Sequence, residues 1–184
     1  MPKHYAPFSA DHEFLGRIVN NMRDALGSEL VEFQAIFAKH GLGDDVDPGG
    51  WYPAQSWFDV MNEIAATGNP LMDFTGIGMK SVENAIIPPE VRALPITDFL
   101  MNATKTYALH NRGTDIGDQR CEVVDDRHVK MILRMPHPDD FWYGAFYGLM
   151  RKLLAPDARA HVYYDETTTR RDNGGERTII HIEW

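Results

Sequence analysis

His128-Val129-Lys130-Met131-Ile132-Leu133-Arg134-Met135-Pro136-His137-Pro138-Asp139 is the stretch on which the reading of the whole chain turns. Val129, Met131, Leu133 and Met135 alternate with Lys130 and Arg134, the period of two expected of a strand with one buried face. Pro136 and Pro138 stop that strand, and Asp139 opens a helix that runs to about Leu154. Working outward, Gln119–Asp125 reads as a preceding strand, joined to His128–Met135 at Asp125-Asp126. A second pair, His161–Thr169 and Arg177–Trp184, is closed by Asp172-Asn173-Gly174-Gly175, a strong turn sequence. In the last strand Thr178, Ile180, Ile182 and Trp184 share one face. From Gly117 to Trp184 the order is therefore strand, strand, helix, strand, strand.

Upstream, the pattern is helical. Ser9 is placed to cap a helix from Ala10 to Leu26, with Phe14, Leu15, Ile18, Val19 and Met22 at helical spacing and Gly27 ending it. Ser28 caps a second helix, Glu29 to His40, stopped by Gly41 and Gly43. Pro53 starts a third through Thr67, and Asn69-Pro70 opens a fourth to roughly Ala85. Pro88, Pro89 and Pro95 make a stiff connector before Thr97 caps a fifth, Asp98 to His110. The expected fold class is α+β: one domain of residues 1–184 in which a helical part (1–113) packs on a four-stranded antiparallel sheet with a helix between its hairpins.

The chain has 184 residues and a formal net charge of −9, which argues against a general binder of nucleic acid or anionic membranes. No stretch has the length and apolarity of a membrane span, and the first residues lack the apolar core of a secretory signal. Cys121 stands alone, so no internal disulfide and no thiolate metal cluster is expected. These features predict a soluble cytoplasmic protein.

Two stretches and the tail carry a family resemblance. Ile18-Val19-Asn20-Asn21-Met22-Arg23-Asp24-Ala25-Leu26-Gly27, with Phe33 and Ala38-Lys39-His40-Gly41-Leu42, is similar to the first two helices of the heme–nitric oxide/oxygen binding domains. Phe99-Leu100-Met101-Asn102-Ala103-Thr104-Lys105-Thr106-Tyr107-Ala108-Leu109-His110 resembles the helix bearing their proximal heme histidine. The resemblance extends to their heme-free relatives, the four-vinyl-reductase-like small-ligand domains. It departs from the heme pattern in two places. The residue eight beyond Phe99 is Tyr107, with His110 one turn further on, and the family's Tyr-x-Ser-x-Arg strand reads Lys130-Met131-Ile132-Leu133-Arg134 here. Both departures point towards the heme-free relatives.

What the resemblance implies is a non-catalytic sensor in signal transduction. It would hold a small apolar or planar ligand between the fifth helix and the sheet, and a signalling partner protein would read the resulting shift. The expected lining is Tyr107, His110, Met131, Leu133, Phe141 and Trp142. Heme is the cofactor to test, with His110 as the iron ligand or Tyr107 as a phenolate. Each has a plainer explanation: a His near a helix C-terminus is favoured by the helix dipole, and a Tyr at a core position packs with its hydroxyl bonded.

Two rivals come from other classes. The first is a protein–protein interaction or homodimerisation module, with the aromatic helix Asp139–Leu154 at the interface. The second is a metal-dependent hydrolase built on His137 and Asp139, because His137-Pro138-Asp139-Asp140 resembles the zinc motif of the N-acetylglucosamine deacetylases. Asp139 at a helix start after a proline breaker explains the same residues without a metal. His161 and His181 sit on the closing strands, where they could join a metal site. Gly76-Ile77-Gly78 lacks the strand and the third glycine of a phosphate loop and reads as close helix packing.

Overall fold

Three glycines decide how the two halves of this protein meet. In the computed structural model, which describes residues 4–27, 30–68, 73–83, 87–155 and 157–184, helix α4 (Phe74–Glu83) lies on helix α7 (Asp139–Leu153) almost backbone to backbone. A Cβ on Gly78 would sit 2.1 Å from the Phe141 carbonyl oxygen, and one on Gly144 would sit 2.0 Å from that of Thr75. Gly148 meets the Met79 carbonyl in the same way, at 2.8 Å. Lys152 completes the seam by donating from Nζ to the carbonyls of Val82 (3.3 Å) and Glu83 (2.8 Å) at the end of α4. The close packing expected of the Gly76–Gly78 segment is present, and Gly78 supplies it.

The sheet half follows the sequence closely. Strands β4 (Asp118–Asp125), β5 (His128–Arg134), β6 (His161–Tyr164) and β7 (Thr178–Glu183) form a four-stranded antiparallel sheet in the order β4-β5-β7-β6. Val129, Met131, Leu133, Ile180, Ile182 and Val162 point inward onto α7, where Phe146, Leu149 and Met150 complete one core. The expected strand His161–Thr169 stops at Tyr164. Beyond it, Asp165 accepts from the Thr167 backbone N–H and hydroxyl, which turns the chain out of the ladder. The turn sequence is present as a short 3₁₀ turn, Arg171–Asn173, with Gly174 at φ 95°.

The helical half departs from expectation at its start. Ala10–Leu15 is not helix. Strand β1 (Glu13–Leu15) pairs antiparallel with β2 (Trp51–Pro53) and with β3 (Asn111–Arg112), making a second, three-stranded sheet. Ser9 therefore caps nothing and instead exchanges hydrogen bonds with Asp115. Helix α1 (Gly16–Leu26) begins only after β1, at a glycine whose Cβ would strike the Asp47 carbonyl at 2.1 Å. Helices α2 (Leu30–Lys39), α3 (Ala54–Ala66) and α6 (Ile96–His110) match the second, third and fifth expected helices with shifted ends. Pro95 rather than Thr97 precedes α6, and a short helix α5 (Pro89–Arg92) interrupts the proline connector. Ser28, Asn69-Pro70 and Ala85 lie outside the described residues. A second core, with Val19, Phe33, Phe37, Phe58, Val60 and Ile64, fills the space among α1, α2 and α3, and Trp142 of α7 packs against both cores.

Helix α7 is enclosed by α4 on one side and the sheet on another, and Tyr147 is its large apolar side chain left exposed. The face on which a dimer interface was expected is thus used within the chain. No helix of the described residues is long and apolar enough to cross a membrane.

The seam gives a direct test. Gly144→Ala must separate α4 from α7 and should cost about 1–3 kcal/mol of unfolding free energy. Gly76→Ala, where a Cβ would find nothing nearer than Asp73 Oδ2 at 3.8 Å, should be neutral or stabilising by up to about 1 kcal/mol. Urea denaturation of the two variants checks both signs.

Candidate functional site

The expected ligand-lining residues fall into two groups. Tyr107 of α6 and Trp142 of α7 meet edge to face, with ring centroids 6.0 Å apart. Met131 and Leu133 lie beneath α7 on the sheet, with Leu100 of α6 fully buried against the same core. Phe141 faces the other core and stacks on His137 at 5.6 Å. His110 stands apart. It is partly exposed at the end of α6, and its Nδ1–H donates to the Thr106 carbonyl at 3.0 Å.

Protonation is set by burial here. The Tyr107 hydroxyl donates to the Ile116 carbonyl at 2.9 Å, and burial, helped by the charge of Asp115, holds the phenol protonated far above its ordinary range. His137 sits among Phe58, Phe141 and Trp142, with ring centroids at 5.1, 5.6 and 5.9 Å. Burial first, then repulsion from His12 and Arg171, lowers its pKa to about 3, so it is neutral at physiological pH. His12 is likewise pushed down by burial.

The hydrolase reading finds no support in the geometry. The Asp139 carboxylate accepts from the Thr178 hydroxyl (2.6 Å) and the Asp172 backbone N–H (2.9 Å), while Asp172 accepts from the Asp139 N–H (3.1 Å) and the Tyr5 hydroxyl (3.1 Å). This closed ring ties the N-terminal segment and the β6–β7 connection to the start of α7. His161 and His181 lie on the opposite face of the sheet, where His181 bridges Asp165 (3.0 Å) and His128 (2.8 Å). Among the described residues, no three His, Cys, Asp or Glu side chains are grouped to hold a metal ion.

Two features escaped the sequence. One is a small cleft between α1, α3 and α4, partly open to solvent, with a free volume of about 10 Å³ and walls of Met22, Leu26, Trp57, Met61, Ile64, Phe74 and Ile77. Its walls are apolar, but the indole Nε1–H of Trp57 is buried without a partner. The other is the contact of His12 with Asn111 at 3.1 Å, which joins residues 99 positions apart through the β1–β3 pairing. Neither has a local signal, since both depend on how separate elements dock.

No family model and no curated protein matches this chain. Solved structures do. An H-NOX (heme–nitric oxide/oxygen binding) protein from S. oneidensis in its Fe(II)NO state superposes with a TM-score of 0.69 at 13% identity, over 92% of this chain and 98% of its own. An oxygen-binding H-NOX domain related to soluble guanylate cyclases gives 0.62 at 16% identity, covering 91% of each chain. An H-NOX structure from a study of heme distortion gives 0.63 at 16%, covering 92% of each. The fold is H-NOX-like. At these identities the likeness concerns the fold alone.

The residues present do not fit a heme between α6 and α7. A macrocycle there would have to part the Tyr107 and Trp142 rings, which touch, and the Leu100 side chain fills the adjoining space. Nor is the arginine of β5 set aside for propionates. Arg134 lies between Asp115 (2.5 Å) and Asp118 (2.9 Å) and over the ring of Phe8, so two carboxylates already hold it.

The neutral His137 makes a prediction about acid stability. The unfolded chain takes up this proton below about pH 6.5 and the folded one only near 3, so the stability His137 contributes is complete above 6.5 and is lost as the pH falls from 6.5 towards 3. Unfolding free energy from urea titrations should drop by roughly 2 kcal/mol between about pH 7.5 and pH 5. His137→Phe should remove most of that slope, leaving the part due to His12.

Proposed function

We propose that this chain is a sensor domain that uses the H-NOX-like frame without heme and takes a small, mostly apolar ligand in the cleft between α1, α3 and α4. The carrying observation is where α4 sits. Its Phe74 and Ile77 wall the cleft, while its adjoining face, at Thr75, Gly78 and Met79, is stitched to α7. A ligand entering the cleft must displace side chains of α1, α3 or α4. Methionines 22 and 61 yield readily, being unbranched, whereas α4 transmits displacement because no side-chain layer cushions it against α7. Helix α7 in turn carries the inner face of the sheet. Occupancy of the cleft is thereby converted into a shift between the helical half and the sheet half, which a partner protein reads.

The chemistry of the walls narrows the ligand. Every wall of the cleft presents apolar surface. The ligand class is therefore a small apolar body. Its place differs from the one implied by the family resemblance, because the space between the fifth expected helix and the sheet is filled by Leu100, Tyr107 and Trp142.

Two titrations test this reading. 2-Heptanone should bind saturably, quenching or shifting the Trp57 fluorescence, and Ile77→Trp, which fills the cleft, should abolish the binding while the protein stays folded. Hemin should give no sharp Soret band at stoichiometric ratio. A sharp Soret band would overturn the heme-free assignment, and absence of saturable ketone binding would overturn the cleft.

A further inference from the structure

Strand β4 ends the four-stranded sheet, with β5 on one side and, among the described residues, no backbone paired on the other. Such an edge presents a row of unpaired N–H and C=O groups, which proteins cover, shorten or guard with charge. Helix α6 packs against β4 but leaves Val123 52% and Val124 48% exposed. A bulge between Val123 and Asp125 ends the regular edge, so the stretch open to pairing is Gln119–Val123.

The pleat decides which strand this edge accepts. Gln119, Cys121 and Val123 stand opposite Leu133, Met131 and Val129, whose side chains face the core, so they share the inner face. Arg120 and Glu122 alternate with them onto the outer face, where they form an ion pair of 3.1 Å. A second copy joined edge to edge and antiparallel keeps both inner faces on one side only if a residue of β4 meets its own counterpart on the two-fold axis. With Arg120 or Glu122 on the axis, like charge faces like. Centring on Gln119 or Val123 runs the pairing off the open stretch. Cys121 on the axis, small and uncharged, sets Arg120 of each copy opposite Glu122 of the other and Gln119 opposite Val123. The outer face then alternates positive and negative across the joint.

We propose that β4 is the pairing edge of a homodimer, in which two copies of this chain join antiparallel about Cys121 into one continuous sheet. The order of charges along the strand is complementary to itself in that register, which selects a second copy over an unrelated strand. The two-fold axis places α6 of both copies on the same side of the joined sheet. Pairing over so short a stretch makes a small interface, so the dimer is reversible and depends on concentration. The net charge of −9 on each copy opposes association at low salt, and screening relieves that long-range repulsion. No wall of the α1–α3–α4 cleft takes part, so the dimer stands or falls independently of the cleft ligand.

Sedimentation velocity of the full chain tests this, at about 0.15 M salt and from micromolar to several hundred micromolar protein. The chain should pass from monomer to dimer across that range. Arg120→Glu, which sets Glu opposite Glu, and Glu122→Arg, which sets Arg opposite Arg, should each weaken association by about tenfold. The double variant Arg120→Glu/Glu122→Arg regains the alternation, and its dimer should form as in the unaltered chain. Both side chains are exposed, so the variants should keep the circular dichroism and urea midpoint of the unaltered chain. A chain that stays monomeric throughout would overturn the proposal. So would a dimer indifferent to the single swaps, which lies on another surface, or one that the double swap fails to restore.

Discussion

Helices α4 and α7 approach so closely that the carbonyl oxygens of Phe141, Thr75 and Met79 occupy the positions where side chains would begin at Gly78, Gly144 and Gly148. Ordinary helix pairs are separated by interdigitated side chains that absorb small displacements. Here that layer is missing, and the two helices move as one body or part altogether. Everything else in the protein is arranged around this pair. The sheet packs on α7, the cleft opens beside α4, and Trp142 reaches from α7 into both cores. The N-terminal segment is tied to the start of α7 by the Tyr5, Asp139 and Asp172 hydrogen bonds.

Much of this was legible in the sequence, for a physical reason. Strand β5 alternates except at Ile132, and Pro136 and Pro138 end it, so local chemistry is enough to mark it. The same holds for α7 and for β7. The three-stranded sheet was not legible. Strands of two or three residues carry no period, and Phe14 and Leu15 fit a helical stripe as well as a strand, so pairing with Trp51–Pro53 and Asn111–Arg112 overrides the local preference. The end of β6 was misplaced because Asp165 turns the chain by hydrogen bonds that a β-rich composition does not reveal.

The candidate site was legible only in part. Tyr107, Trp142, Phe141, Met131 and Leu133 do lie about the boundary between helix and sheet, yet they meet one another there and leave no slab of space between them. The two departures from the heme pattern agree with this packing: the position of the expected histidine holds a tyrosine that fills the interior, and Arg134 is spent on Asp115 and Asp118. What the sequence could not supply was the pairing of His12 with Asn111, or the cleft. Each arises from residues brought together only when β1, β3, α1, α3 and α4 dock. Burial then gives these histidines their character, keeping His12 and His137 neutral while the histidines on the outer face of the sheet join carboxylates.

The central claim is mechanical: what enters the cleft is felt on α7 because α4 transmits it without a side-chain cushion. The most direct measurement follows the backbone amide resonances of Gly144 and Gly148 while 2-heptanone is titrated into the protein. The account predicts that both move in step with saturation of the cleft and stay still in Ile77→Trp. Saturable binding that leaves the two glycine amides unmoved would contradict it.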